Sequence, residues 1–188
     1  MEFLFIKQKI KRVKKGDQAA YEEVVLLFQD RIYQHCLRMV GNAHEAEDIA
    51  QEVFIRAYTN IHSFDISRKF STWLYRIATN LTIDRLRKRK PDYHLDANVK
   101  GTDGLTMYAR IAVDDPLPEE VVETLELKNY VHKEIARLSP IYRSIILLRY
   151  MEDFSVKEIS DILDIPLGTV KTRLFRGREA LRNRLRDL

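Results

Sequence analysis

Apolar residues recur along most of this chain at intervals of three and four, the spacing of one face of an α-helix. Ala20, Val24, Phe28 and Ile32 form the first stripe, with Asp17 placed to cap the helix and Gly41-Asn42 placed to close it. Asn42 with Glu45 three residues on resembles a capping box for the next helix, whose inward face is Ala46, Ile49, Ala50, Val53 and Ala57. Residues 70–90 continue the pattern through Phe70, Leu74, Ile77 and Leu81. Leu127, Val131, Ile135 and Leu138 set up a further helix. Ser139-Pro140 then starts another, with proline where a missing N–H costs nothing. Strand-like alternation persists nowhere, so the fold class expected is all α.

Residues 155–185 read as helix, tight turn, helix. Ser155 and Glu158 make a capping box, Ile159, Ile162 and Leu163 face inward, and Asp164-Ile165-Pro166 breaks the first helix. The second helix begins near Leu167-Gly168-Thr169. Val170, Leu174, Leu181 and Leu185 share its inner face, with Gly177 where a close helix crossing needs no side chain. Lys171, Thr172, Phe175, Arg176 and Glu179 lie opposite.

Glycine and proline divide the chain. Neither occurs between Asn42 and Lys90, whereas residues 91–118 hold five of the eleven. Charge divides it the same way: residues 1–91 carry a net +6, residues 92–125 a net −6 and residues 126–188 a net +4. The overall +4 conceals two basic helical domains, 1–91 and 126–188, joined by an acidic connector at 92–125. Basic domains suit a polyanionic partner.

Other chemistries find little support. Cys36 is the one cysteine, which excludes an internal disulfide and a cysteine zinc cluster and suits a reducing cytoplasm. The longest aliphatic or aromatic run, Val24–Phe28, is far short of the roughly 20 residues that span a bilayer. "MEFLFIKQK" meets lysines too early to be a secretory signal. No His follows a Glu by three and no two His are four apart, so helical di-iron and zinc spacings are missing. No metal or cofactor is expected, and no phosphate loop or nucleophile–base set points to an enzyme.

The outward face of residues 171–179 suits a major groove. Arg pairs with guanine, a Thr methyl or Phe meets a thymine methyl, and Lys meets phosphate. "IPLGTVKTRLFRGREALR" resembles the −35-reading helix-turn-helix of extracytoplasmic-function (group 4) sigma factors of bacterial RNA polymerase. The resemblance assigns Lys171, Thr172, Phe175 and Arg176, with Thr169, to −35 DNA.

"EAEDIAQEVFIRAY" shows Asp48, Gln51, Glu52 and Ile55 on one arc, and an apolar residue among acids favours a protein partner. It is similar to the DxxQE segment through which sigma region 2 binds the polymerase clamp, and those four residues inherit that role. On the 70–90 helix the cations bunch after Asp84 instead of lining one side, which argues against a membrane-surface helix. Aromatics, an amide and a cationic tail suit unpaired DNA. "FSTWLYRIATN" resembles regions 2.3–2.4 of the same family, implying that Trp73, Tyr75, Arg76, Asn80 and Arg87, with Phe64 in the loop at 62–70, meet the −10 strand.

The resemblance covers both blocks in order. It implies three partners: RNA polymerase core, promoter DNA (−35 duplex and −10 single strand), and an anti-sigma protein, often membrane-anchored, the chain itself not being a membrane protein. It also implies a connector that threads a basic polymerase channel. A dimeric regulator reading a palindrome is the main rival, and an enzyme or a helical adaptor ranks below it.

Overall fold

Helices make nearly all the regular structure of the computed structural model, which describes residues 2–89 and 119–185. Four precede the connector: α1 (Glu2–Val13), α2 (Gln18–Val40), α3 (Ala43–Thr59) and α4 (Phe70–Arg89), with a 3-10 turn at Ile61–Ser63. Four follow it: α5 (Glu119–Ala136), α6 (Pro140–Tyr150), α7 (Val156–Leu163) and α8 (Leu167–Arg184). The described residues contain no strand, and the fold is all α. Up to residue 118 the acidic connector lies outside the described residues, and α5 begins at Glu119, within the segment expected as connector.

Local signals set the helix ends. Asp17 Oδ1 accepts from the Ala20 amide at 3.0 Å, and Gly41 closes α2 at φ 72°, where a β-carbon is disfavoured. Asn42 Oδ1 caps Glu45 N at 3.0 Å, but the Glu45 carboxylate accepts from Arg89 on α4 at 3.1 Å instead of turning back. The box there is half made, because a guanidinium attracts that carboxylate more strongly than an amide does. At α7 the box is complete: Glu158 N donates to Ser155 Oγ at 3.2 Å, and Ser155 N donates to Glu158 Oε2 at 2.9 Å. Asp164 then ends α7 at φ 55°.

Sequence patterning overlooked α1. Its buried Ile6, Ile10 and Val13 have helical spacing but are too few to stand out. The helix packs on α2, and Lys14 just past its end donates to the carbonyls of Phe64 at 2.5 Å and His62 at 3.2 Å. This lysine therefore fixes the loop leading into α4.

α4 differs from its expected stripe. Phe70 and Leu74 are buried, but Ile77 and Leu81 are half-buried, while Tyr75, Ala78, Thr79, Thr82 and Leu86 are fully or nearly covered. The cause is that α4 is gripped twice, by α2 and α3 within its own unit and by α6 and α7 of the second. A single-stripe reading cannot register both.

In the second unit Ile145, Ile146, Leu147 and Leu148 are all buried, which no one-sided helix allows. α6 is surrounded by α5, α7 and α8 and also touches α2 and α4. On α5, Ile135 and Leu138 are buried as expected, whereas Leu127 faces solvent. A β-carbon on Gly177 would sit 3.2 Å from Ile146 Cγ1, so α8 crosses α6 closely enough that a larger residue requires the Ile146 side chain to shift. Gly177→Val should cost about 1–3 kcal/mol by overpacking, read as a lowered thermal midpoint, with Gly177→Ala costing less.

The two units form one body. Arg143 on α6 is buried and donates to the carbonyl of Met39 on α2, and to those of Ala136 and of Leu138 at 3.1 Å. Phe154 lies edge-on to Tyr75 of α4, with ring centres 4.9 Å apart. Burying such a ring contributes about 1.5–3 kcal/mol. The exposed cross-unit pairs Lys69–Glu158 (2.7 Å) and Arg76–Asp164 (2.9 Å) contribute about 0–1 kcal/mol each. Burial dominates this seam and the surface pairs set its register.

His35 makes the fold acid-sensitive. It is fully buried on α2 with Nε2 3.0 Å from Thr79 Oγ1, and Nδ1 has no hydrogen-bond partner among the described residues. A proton on Nδ1 would be stranded, and burial, aided by the Arg38 charge, pushes the pKa down to about 3. The unfolded chain thus binds a proton between about pH 6.5 and 3 that the folded chain refuses. Stability is full above that window and should fall by up to about 1.4 kcal/mol per pH unit within it. Chemical unfolding across pH checks this, and His35→Gln should flatten the decline. Burial likewise pushes the Cys36 thiol up to about 12, so it is unreactive.

Candidate nucleic-acid interface

The second helix of the α7–α8 pair presents the C-terminal candidates. Val170, Leu174 and Gly177 are buried, which turns Lys171, Thr172, Phe175 and Arg176 outward together. Phe175 is 58% exposed. Thr172 Oγ1 donates to Gly168 O at 3.0 Å, so its hydroxyl is engaged and its methyl is what remains for an apolar contact. Thr169 is half-buried in the first turn. No side chain caps α8, so its first amides can meet a phosphate. Arg176, Thr169 and Thr172 also border a cleft of about 540 Å³ beside Tyr142.

On α4 the candidates separate into three sets. Asn80 is exposed and borders a cleft of about 300 Å³ with Trp73, Asn60 and Ser63, so the amide and the preceding loop do come together. Trp73 is half-buried, its ring 5.0 Å from Phe64 and 5.6 Å from Phe70. Arg87 is exposed and paired with Asp84 at 2.8 Å.

Phe64 and Tyr75 are placed differently from the expectation of DNA-facing side chains. Phe64 is buried beneath Trp73 and Phe70, which makes it a support for the loop. Tyr75 is 0% exposed, held between His35 and Phe154, and its hydroxyl donates to Glu152 Oε2 at 2.5 Å. Burial and the Glu152 charge both raise its pKa. Arg76 reaches the surface but is engaged by Asp164.

The α3 arc is largely open. Asp48 and Gln51 are exposed and Ile55 is 58% exposed, whereas Glu52 is half-buried and paired with Arg56 at 2.6 Å. Asp48 forms no ion pair among the described residues. These residues hold no group of three metal-binding side chains, and none of their helices is long and apolar enough to cross a membrane.

Sequence reasoning missed the groups that close the seam. Glu152 has a side chain only 5% exposed, opposed by Arg38 at 3.3 Å and by the nearby positive charge of Arg31. Desolvation raises its carboxyl pKa although Tyr75 and the arginines pull it down. No periodicity links residue 152 to residues 38 and 75, since the pairing is purely tertiary.

Comparison with known proteins agrees with this geometry. The Sigma-70 region 2 family matches residues 24–91, and the Sigma-70 region 4 family matches residues 128–181. The chain is 63% identical over 185 residues to the ECF RNA polymerase sigma factor SigW of Bacillus subtilis, covering 98% of this chain and 99% of that one. It is 34% identical over 186 residues to the ECF RNA polymerase sigma-E factor of Escherichia coli K12, covering 95% and 93%. In fold it is similar to CnrH, solved in complex with the cytosolic domain of CnrY (TM-score 0.69, 18% identity, 97% and 98% of the two chains). It is also similar to the sigma factor RpoE of Bartonella quintana, solved in complex with the anti-sigma factor NepR (TM-score 0.61, 20% identity, 88% and 96%). With both sigma modules in order and identity sustained along nearly its whole length, the chain belongs to the ECF RNA polymerase sigma factors.

Proposed function

We propose that this chain is an alternative initiation factor that brings RNA polymerase core to a particular set of promoters and does no chemistry itself. The near full-length similarity to SigW carries this reading. In it, residues 1–91 bind polymerase through Asp48, Gln51, Glu52 and Ile55 and capture unpaired −10 bases near Trp73, Arg76, Asn80 and Arg87. Residues 126–188 read −35 duplex through Thr169, Lys171, Thr172, Phe175 and Arg176, and residues 92–125 connect the two. The protein works in the cytoplasm, where an anti-sigma protein restrains it.

Magnitudes explain why polymerase is indispensable. Opening one base-pair step costs roughly 1.4 kcal/mol of stacking. One base captured on an aromatic returns about 1–3 kcal/mol. A pocket for one or two bases offsets a few steps but not a whole bubble, so the chain alone does not melt a promoter.

Fluorescence anisotropy tests this on a labelled promoter fragment with duplex −35 and single-stranded −10. Core plus this chain should bind at least tenfold more tightly than either alone. A chain that binds as tightly without core, and to a palindrome, is the dimeric regulator instead.

A further inference from the structure

The stretch that meets lysines too early for a secretory signal forms the start of α1 and lies outside the residue sets assigned to DNA and polymerase. Ile6, Ile10 and Val13 are buried, and α1 packs on α2, which fixes the rotation of the helix. That rotation leaves Phe3, Leu4 and Phe5 all exposed, Leu4 at 65%. Successive helical residues stand about 100° apart, so the three side chains fan over about 200° of the helix end. The apolar tip is a knob and not one edge of a groove.

Positive charge gathers immediately behind this tip. Residues 2–15 hold six cations and one acid, a net +5 of the +6 that residues 1–91 carry. Three of the six cations are engaged: Lys9 pairs with Glu23, Arg12 with Asp17 at 2.7 Å, and Lys14 donates to the loop carbonyls. Lys7, Lys11 and Lys15 form no ion pair among the described residues. They follow Phe3 at intervals of four, so they run as one row along the helix and into the turn after it. Lys7 Nζ lies 5.9 Å from the centre of the Phe3 ring, and Lys9 Nζ lies 5.2 Å from that of Phe5. Cation and ring thus meet at the border of the tip.

We propose that α1 docks this chain reversibly on an anionic lipid surface. Phe3, Leu4 and Phe5 enter the acyl boundary while Lys7, Lys11 and Lys15 stay among the headgroup phosphates. A fluid apolar phase can surround a knob that faces three directions at once, whereas a nucleic acid would take the lysine row and leave Leu4 in water. Long lysine stems keep their ammonium groups at phosphate level as the neighbouring rings sink. A small apolar area and a lysine row act together, since neither signal alone holds a protein firmly at a membrane. The chain lies on the surface without crossing it: none of the described helices is long and apolar enough to span. Docking of this kind needs neither polymerase nor promoter.

Co-sedimentation of the full chain with vesicles tests this, using pure phosphatidylcholine and a mixture of phosphatidylcholine with phosphatidylglycerol. The mixed vesicles should bind the parent at least about tenfold more strongly than the neutral ones. Leu4→Ser should weaken that binding by about tenfold. Lys11→Ala should weaken it by about fivefold. Both side chains are exposed, so helical circular dichroism and the thermal midpoint should stay as in the parent. Equal binding to neutral and mixed vesicles overturns the proposal. So does a folded Leu4→Ser that binds mixed vesicles like the parent while Lys11→Ala does not, since that is bare attraction between opposite charges. A Leu4→Ser that loses affinity for a single-stranded oligonucleotide or for core polymerase, with vesicle binding unchanged, assigns the tip to that partner and overturns lipid docking as well.

Discussion

Asp48→Lys should abolish assembly with polymerase core while leaving the chain folded. Asp48 is exposed in the middle of α3 and has no ionic partner among the described residues, so its loss strands nothing. Lysine is also a better helix former than aspartate. At a docking surface that receives an acid, however, a lysine sets like charges face to face, which costs several kcal/mol. Each 1.4 kcal/mol is tenfold, so the dissociation constant should rise by at least about a hundredfold. Asp48→Asn should lie between, because it removes attraction without adding repulsion. Ile55→Asp tests the apolar half of the arc: a side chain 58% exposed contributes little to folding but can anchor a partner. Co-migration with core in native gels, alongside unchanged thermal midpoints, separates lost binding from lost structure.

The second large effect is expected on α8. Arg176→Ala should weaken holoenzyme binding to −35 duplex by about 1–3 kcal/mol, roughly 5- to 150-fold, and relax selectivity at one base position. Phe175→Ala should act similarly at a neighbouring base through lost methyl contact. Lys171→Ala, if it meets phosphate, should weaken all sequences alike and shrink the salt dependence of binding. Arg182 lies beyond the reading face and is paired only loosely with Glu179 at 3.8 Å, so Arg182→Ala serves as a control with little base-specific effect. Binding measured on duplexes with single −35 substitutions, at two salt concentrations, distinguishes these roles.

Sequence made the local parts of this molecule legible. Asp17, Gly41, the Ser155–Glu158 box and Gly177 act through neighbours a few residues away or through a helix period, and each sits where that logic put it. The outward placement of Phe175 was readable for the same reason, since Val170, Leu174 and Gly177 fix the rotation of α8. What escaped depends on which surfaces meet. Tyr75 looked outward because it lies off the Phe70–Leu74 stripe, yet His35 of α2 meets one side of its ring and Phe154 and Glu152, from the other side of the connector, complete the enclosure. Phe64 looked available because it lies in a loop, yet Lys14 pins that loop by its carbonyls and Trp73 covers its ring. α1 was hidden because it buries just one narrow stripe on α2.

As a sigma factor, this chain lends promoter choice to a polymerase that lacks it. Purified core enzyme, with and without the chain, transcribing the organism's own genomic DNA and read by mapping RNA 5′ ends, tests it most directly. A discrete set of new starts is expected in the presence of the chain, each preceded by the same two unlike elements and lost with Asp48→Lys. Initiation that stays random, or starts that survive Asp48→Lys undiminished in a chain shown to be folded, would contradict it.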